Sequence, residues 1–276
     1  MGICRYGARI RFEAVRRAPT IHPNLATTQA DTNQVMANIT QELKLDRLLV
    51  YPNTQSLPTH YTTSPLGLID KSDGGKRRIH HLFYPTNTTG SINWGIPEEF
   101  GTIAYSSVHD AIQAIQTMGV GSLLIKRDFE STFRHIPFSP VDSPLLGFHW
   151  QGKYEAEWFL AFGLRTASYL FDLFSAVFHC ILGEELRILG LPARIIHYLD
   201  DFLIVLPPHS EPIKYPTVFA RLCEEVGLRI KESKNEEGTR VSFASIELDT
   251  RQMAIQLQTK SYSKLKLLDR ASRKRH

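Results

Sequence analysis

The chain has 276 residues, of which 42% are hydrophobic, so it can bury the core of one large or two small domains. Its formal charge of +4 permits a nucleic-acid partner but does not by itself predict one. The three cysteines lack the spacing of a zinc site or a disulfide framework, and no apolar run is long enough to cross a membrane, so we expect a soluble intracellular protein.

The N-terminal part of the chain predicts an arm followed by a helix. Residues 1–30 carry several arginines and little periodicity, which is typical of an extended, solvated basic arm. In residues 31–48, Val35, Ile39 and Leu43 recur at helical spacing after an Asp-Thr cap. We therefore expect an amphipathic helix there, followed by a proline-containing loop.

A β-hairpin is predicted next. Two strand-like runs, residues 64–70 and 77–83, are joined by an Asp-Gly-Gly turn. Basic side chains would give this hairpin a cationic edge, although such a group is by itself more typical of a solvated turn; they are Lys71, Lys76, Arg77 and Arg78. Adjacent strand residues point to opposite faces, so we interpret His80 and His81 as structural.

The middle of the chain alternates helices and strands. A capping-box pattern at Ser107 and Asp110 opens a helix that Gly119 ends, and an apolar run then ends at Asp128, before a turn and a short helical segment. Residues 145–150 and 153–160 predict a hairpin turned by Gln151-Gly152. A long helix is expected over residues 166–189, and its predicted core face comprises Leu170, Leu173, Phe174, Val177, Phe178 and Ile181.

The most informative stretch is the apolar run from Ile195 to Val205, which Asp200 and Asp201 interrupt. It predicts a strand, a tight turn that carries both carboxylates, and a returning strand. Aspartate is a common turn residue, so the pattern alone can mean no more than a turn. Adjacent carboxylates repel, however, and with Asp128 at another strand end they would suit two Mg²⁺ ions about 4 Å apart.

The C-terminal part predicts a helix over residues 215–226, closed by Gly227, and then one strand over residues 241–248 paired with another over residues 253–257. The alternation around the acids indicates an α+β fold, with an antiparallel sheet and helices on one of its faces.

The sequence resembles reverse transcriptases from about residue 6 to about residue 251. Tyr198-Leu199-Asp200-Asp201 resembles their Tyr-x-Asp-Asp box, and residues 128–134 resemble their first catalytic motif. Residues 162–168 resemble the Phe-Gly-Leu-x-x-Ala-Pro motif that lies between them. Residues 75–82 resemble the fingers segment of fungal tyrosine-recombinase-type retrotransposons.

This resemblance implies right-hand fingers and palm, with a ferredoxin-like palm core and a thumb that is largely absent. The implied division is a basic arm (1–30), the fingers and their connection to the palm (31–120), the palm (121–257) and a basic remnant of thumb or connection (258–276). The last segment is too short for a thumb or a ribonuclease H domain. We therefore expect weak primer–template binding, short products and no ribonuclease H activity.

The resemblance also assigns roles to particular residues in an RNA-directed DNA polymerase. Two Mg²⁺ ions, for which Mn²⁺ can substitute, would be held by Asp128, Asp200, Asp201 and the backbone carbonyl of Phe129. The implied substrate contacts, to deoxynucleoside triphosphates and to a primed RNA or DNA template, involve Lys71, Arg77, Phe133, Phe162, Gly163, Tyr198 and Lys234. Among these, Phe133 would exclude a 2′-hydroxyl, and Lys234 would lie near the leaving pyrophosphate.

Three departures from the family pattern leave the metal ligands intact. Ala161 and Ser168 replace prolines, and residues 243–246 lack the glycine usual in the primer-grip turn. The alternative function is a catalytically silent nucleic-acid-binding remnant of such an element. A nucleotide cyclase is disfavoured, because its signature would be a Gly-Gly-acidic turn.

Overall fold

The computed structural model describes residues 6–15, 19–70, 75–86, 90–103 and 105–257. Its described residues contain five α-helices: α1 (Ala26–Gln29), α2 (Thr32–Lys44), α3 (Val108–Met118), α4 (Ala167–Ile188) and α5 (Lys214–Glu225). They contain twelve strands: β1 (Leu48–Tyr51), β2 (Leu66–Asp70), β3 (Lys76–His80), β4 (Leu123–Asp128), β5 (Gly147–Trp150), β6 (Lys153–Glu157), β7 (Arg194–Tyr198), β8 (Asp201–Leu206), β9 (Glu236–Gly238), β10 (Arg240–Phe243), β11 (Ile246–Asp249) and β12 (Ala254–Leu257). Short 3₁₀ turns occupy Thr54–Ser56, Asn93–Gly95, Glu98–Gly101, Thr132–His135, Ser143–Leu146 and Glu232–Lys234.

The chain divides into two compact units. Unit 1 is built from the described residues of Met1–Ile103 and Phe133–Phe171, and unit 2 from those of Ala104–Thr132 and Asp172–His276. This division differs from the contiguous one expected from the sequence, because β5 and β6 pair with the N-terminal strand β1. None of the described helices is long and apolar enough to cross a membrane.

Unit 1 contains the antiparallel sheet β1-β6-β5 and the hairpin β2-β3. The hairpin and the amphipathic helix α2 confirm the sequence predictions, and the Asp31 carboxylate caps α2 by accepting from the Gln34 backbone N–H at 3.1 Å. Strand β1 was expected to be loop. These elements share a core that comprises Val35, Ile39, Leu48, Leu66, Leu68, Phe148 and Trp150.

The N-terminal arm is solvated only in part, because some of its side chains enter the core. Ala8 and Ile10 are buried, and Ala8 forms a parallel bridge with Phe138. Arg9, between them, pairs with the buried Asp142 carboxylate at 2.7 Å. The expectation of a solvated tail is wrong here, because a short apolar-basic alternation lets two side chains enter the core while the arginine stays at the surface.

Unit 2 is organised around the antiparallel four-stranded sheet β7-β8-β4-β9, with β10-β11-β12 as a second antiparallel sheet. The capping box of α3 is present as expected, with Ser107 and Asp110 bonding reciprocally. The core of this unit combines α3 with strands from both sheets, and it includes Ala111, Ile115, Leu124, Leu203, Val205, Val241 and Leu248. The short strand β9 was not expected.

The strand expected over residues 241–248 is instead a hairpin. Strands β10 and β11 pair antiparallel, with Phe243 opposite Ile246. The two residues of the turn, Ala244 and Ser245, have φ of 48° and 66°. Such two-residue turns favour glycine or asparagine, so a turn built from alanine and serine was not apparent in the sequence.

The expected core face of α4 is partly wrong. Leu173 is 45% exposed, Val177 59% and Ile181 39%. The buried face is formed by Leu170, Phe171, Ser175, Phe178, Leu182 and Leu186. Because apolar residues surround this helix on most sides, the period of the pattern did not identify the face that packs.

Candidate active site

Two of the three acids lie opposite each other in the sheet of unit 2. In the antiparallel pair β4-β8, Asp128 is the register partner of Asp201. Such partners share one face of the sheet, with Cβ atoms about 4.5–5.5 Å apart. Asp200 occupies the adjoining turn, and its carbonyl accepts a hydrogen bond from the backbone N–H of Phe129 at 3.3 Å. The expected placement at the ends of neighbouring strands is confirmed.

The turn between β7 and β8 has a local backbone constraint. Leu199 has a φ of 54°, a conformation that costs free energy for a residue with a branched side chain. Tyr198, at the end of β7, is partly exposed, and its ring centroid lies 4.5 Å from that of Tyr105. The positive φ of Leu199 reverses the chain direction, so that Asp200 lies in the turn and Asp201 begins β8.

Each acid has a polar neighbour of its own. The Thr132 hydroxyl donates to Asp200 Oδ2 at 2.8 Å. Lys234 Nζ lies 2.5 Å from Asp128 Oδ2, and Lys126 Nζ lies 3.7 Å from Asp201 Oδ1. Two ammonium groups thus compensate part of the negative charge that three neighbouring carboxylates would carry.

Burial works against the ionisation of Asp200 and Asp201. Burial, with the nearby Asp128 and Asp200, raises the pKa of Asp201 to about 7, although Lys126 opposes the shift. Burial also raises the pKa of Asp200. The pKa of Lys234 is lowered by burial, but its hydrogen bond to Asp128 and the charges of the acids outweigh this, so the net shift is upward.

The donor chemistry of this cluster fits a hard divalent cation. Carboxylate oxygens are the ligands that Mg²⁺ prefers, and the buried Asp201 Oδ1 accepts no hydrogen bond. Within the part of the chain that the structure describes, no group of three or more His, Cys, Asp or Glu side chains converges as a metal site. Asp128 Oδ2 faces Lys234 Nζ, and Asp200 Oδ2 accepts a hydrogen bond from the Thr132 hydroxyl.

An aromatic cluster fixes the residue that follows Asp128. Phe129 is buried, and its ring lies 5.3 Å from Phe202, 5.5 Å from Phe178 and 5.9 Å from Phe219. These contacts hold the backbone immediately after the first acid, which includes the carbonyl implied as a metal ligand.

Unit 1 brings together three of the sequence-predicted substrate residues. The guanidinium of Arg77 lies over the Phe162 ring at 4.8 Å, and the Phe162 ring lies 5.0 Å from that of Phe133. Phe133 also contacts Phe171, at 6.0 Å, and is 9% exposed. Lys71 lies outside the described residues.

Gly163 is required by the backbone of unit 1. Its φ is 95°, and a Cβ there would come within 2.8 Å of the His80 carbonyl oxygen. His80 is buried and its Nε2 lies 3.0 Å from the Gly147 carbonyl, in agreement with a structural role. The glycine therefore has a structural reason that does not depend on a nucleotide.

The basic edge of the hairpin is smaller than expected. Lys76 pairs with Asp31 at 2.8 Å, and the buried Arg78 pairs with Glu157 at 2.9 Å. Only Arg77, among the described residues of that group, has an exposed side chain that no carboxylate pairs with. The Arg78 side chain is 6% exposed and supplies the counter-charge of the buried Glu157.

Sequence reasoning missed Thr132 and Lys126. Lys126 lies two residues before Asp128 on β4, so both side chains point to the same face. That spacing was a usable signal for Lys126. Thr132 carried none, since its bond to Asp200 depends on how the chain turns after β4.

Neither a protein-family model nor a curated protein matches this chain. Solved structures of foamy viral protease-reverse transcriptase do match it. The complex with an RNA/DNA hybrid has a TM-score of 0.67 at 18% identity over 94% of this chain and 31% of that one. Two complexes with double-stranded DNA have TM-scores of 0.66 and 0.63 at 17% and 19% identity, each over 94% of this chain and over 40% and 48% of theirs.

At these identities the similarity establishes the fold alone. The chain has the mixed α/β fingers and palm fold of a reverse transcriptase, with antiparallel sheets. It spans less than half of the length of each of these relatives.

Proposed function

We propose that this chain is an RNA-directed DNA polymerase domain, which extends a primer on an RNA or DNA template with deoxynucleoside triphosphates. The observation that carries the proposal is the pairing of Asp128 with Asp201, next to Asp200, in a sheet of the reverse-transcriptase fold. Carboxylates at neighbouring strand ends are common ligands of the metal ions that assist phosphoryl transfer.

In this proposal Asp128, Asp200, Asp201 and the Phe129 carbonyl hold two Mg²⁺ ions, for which Mn²⁺ can substitute. Bound there, the ions would lower the pKa of a primer 3′-hydroxyl and neutralise charge on the triphosphate. The chain contributes Asp201, whose buried Oδ1 accepts no hydrogen bond, and an aromatic cluster that packs around Phe129. Lys234 then supplies a positive charge for the leaving pyrophosphate.

Most of the residues proposed to contact the substrate belong to unit 1, and Tyr198 belongs to unit 2. Arg77, supported by Phe162, and Lys71 provide cationic groups for the triphosphate. Phe133 excludes a 2′-hydroxyl, and its contacts with Phe162 and Phe171 limit the rotamers through which it could yield. Gly163 and Tyr198 complete the contacts proposed for the template-side nucleotide and the primer end.

We further propose that the domain derives from a retrotransposon of the fungal tyrosine-recombinase type, a proposal that residues 75–82 support. The second candidate function is a silent nucleic-acid-binding remnant. The turn at Ala244 and Ser245 favours it, because two non-glycine residues with positive φ strain a hairpin that the family uses to grip the primer.

Primer extension on an RNA template with Mg²⁺ tests the proposal. Asp200→Asn should abolish incorporation, whereas Asp249→Asn, the same change at an acid of β11 outside the cluster, should leave it in place. Incorporation that survives Asp200→Asn would rule out the proposed mechanism. Binding without incorporation by the parent chain would favour the silent remnant.

A further inference from the structure

The ammonium group of Lys234 covers the oxygen of Asp128 that a cation would need. Lys234 Nζ lies 2.5 Å from Asp128 Oδ2, and the side chain of Asp128 is 2% exposed. The lysine side chain is 46% exposed. In this ion pair the lysine side chain is therefore open to solvent, whereas the carboxylate is buried.

This lysine is positioned by the backbone and does not reach Asp128 by chance. The Lys231 N–H donates to the Asp128 carbonyl at 2.8 Å, and the Lys234 N–H donates to the Lys231 carbonyl at 2.9 Å. Two residues further on, β9 pairs with β4, and Glu236 lies opposite Lys126. The 3₁₀ turn Glu232–Lys234 is thus fixed at both ends to the strand that carries Asp128.

The two lysines of the cluster differ in how easily they can leave. Lys126 is 11% exposed and lies within 4 Å of two carboxylates, Asp201 at 3.7 Å and Glu236 at 3.6 Å. Lys234 contacts Asp128 from a long, half-exposed stem, which can swing into solvent once another cation replaces its charge. Lys234 is therefore the exchangeable positive charge.

We propose that Lys234 acts as an internal counter-cation, which a divalent ion must displace from Asp128 before the site can load. The inference rests on the proposed function, because it assumes that Asp128 is a metal ligand. It also accounts for the lack of a converged ligand set among the described residues, since Asp128 is turned towards the ammonium. Displacement would free the same lysine for the phosphate groups of the substrate.

The test compares Mn²⁺ binding to Lys234→Met and Lys231→Met, with free Mn²⁺ measured by electron paramagnetic resonance. Both variants remove one positive charge from the same turn, so their long-range effects on a cation are matched. Only Lys234→Met removes the contact with Asp128. It should bind Mn²⁺ about tenfold more tightly than Lys231→Met, or better, as expected for loss of a competing charge-assisted hydrogen bond.

Equal affinity of the two variants would overturn the proposal and leave the metal site itself intact. Adding Asp128→Asn to each variant should remove the difference between them, and a difference that persists would also overturn it. If no form binds Mn²⁺ in a manner that depends on Asp128, the metal site of the proposed function fails as well. Thermal unfolding with and without Mn²⁺ provides a second readout, in which Lys234→Met should show the larger rise in Tm.

Discussion

Asp128 and Asp201 are direct partners across the antiparallel strands β4 and β8, which places two carboxylates side by side on one face of the sheet. Like charges at opposed positions of a sheet are destabilising. A sequence selected only for stability would not keep this pair, so the pairing is the feature of the fold that most needs a functional explanation.

The metal-free protein should lose stability because of Asp201 as the pH rises. Its pKa is about 7 in the folded state, above the ordinary value of 3.8, so the folded protein binds the proton more tightly. Its stabilising contribution is complete below about pH 4 and is lost as the pH rises through about 7. Asp201→Asn should remove this loss, with a difference in slope of up to about 1.4 kcal/mol per pH unit.

Urea unfolding from pH 4 to 8 measures this effect. Asp249→Asn is the matched control, because backbone hydrogen bonds from Gln252 and Arg251 and the contact with Arg240 lower the pKa of Asp249. That variant should lose stability at neutral pH. A parent and an Asp201→Asn variant with parallel pH profiles would contradict the burial of Asp201 beside the other two acids.

Two glutamates of β6 should respond in opposite directions to the same substitution. Burial raises the pKa of Glu155 to about 7, and its Oε2 accepts no hydrogen bond. Burial also acts against ionised Glu157, but Arg134 and Arg78 outweigh it and lower its pKa to about 2. The stabilising contribution of Glu155 is therefore lost as the pH rises through 7. The stabilising contribution of Glu157 is complete above about pH 4.5 and is lost as the pH falls towards 2.

At pH 8, Glu157→Gln should cost about 3–5 kcal/mol, because Arg78 loses its carboxylate partner and Arg134 keeps only Glu42, at 3.5 Å. Glu155→Gln should be neutral or stabilising at that pH, since it removes a poorly solvated charge. Chemical denaturation of both variants measures the contrast. Equal losses from the two substitutions would show that the buried ion-pair network of unit 1 is wrongly described.

A glycine in the β10-β11 turn should stabilise the protein. Ala244 and Ser245 both have positive φ, which costs alanine and serine more than glycine. Ser245→Gly should raise the free energy of unfolding by about 0.5–1 kcal/mol. Ser242→Gly, the same change inside β10, should lower it. A Ser245→Gly variant that is less stable than the parent would contradict the turn geometry.

Much of the fold followed from the sequence, and the exceptions have physical causes. The hairpin β7-β8, the capped helix α3 and the hairpin β2-β3 were predicted because turn residues and caps mark their ends. Leu173, Val177 and Ile181 were misassigned because α4 is apolar on most of its circumference. Which face of such a helix packs depends on residues that are distant in the sequence, and a local pattern contains no information about them.

The candidate site was likewise predicted from the sequence only in part. Asp128 and Asp201 could be predicted as strand-end residues, because each is an acid that adjoins an apolar run in the sequence. The bond from Thr132 to Asp200 and the ion pair of Lys126 with Asp201 depend on register and on turn geometry. They became visible only with the structure.

Sugar selection should depend on Phe133. Its ring packs on Phe162 and Phe171, so Phe133→Val opens space without adding a polar group. The ratio of kcat/KM for deoxynucleotides to that for ribonucleotides should fall by about tenfold or more. A general folding defect would lower both rates and leave the ratio unchanged. An unchanged ratio would contradict the proposal that Phe133 excludes a 2′-hydroxyl.

We propose that Asp128, Asp200 and Asp201 support nucleotidyl transfer at a bound primer end. Single-turnover incorporation of one templated deoxynucleotide, measured together with primer–template affinity in the same preparations, separates a polymerase from a silent binder. Asp128→Asn should bind primer–template as the parent does, yet incorporate at least about a thousandfold more slowly, and Asp172→Asn should match the parent. Incorporation by Asp128→Asn at the parental rate, or a parent that binds and never incorporates, would contradict the account.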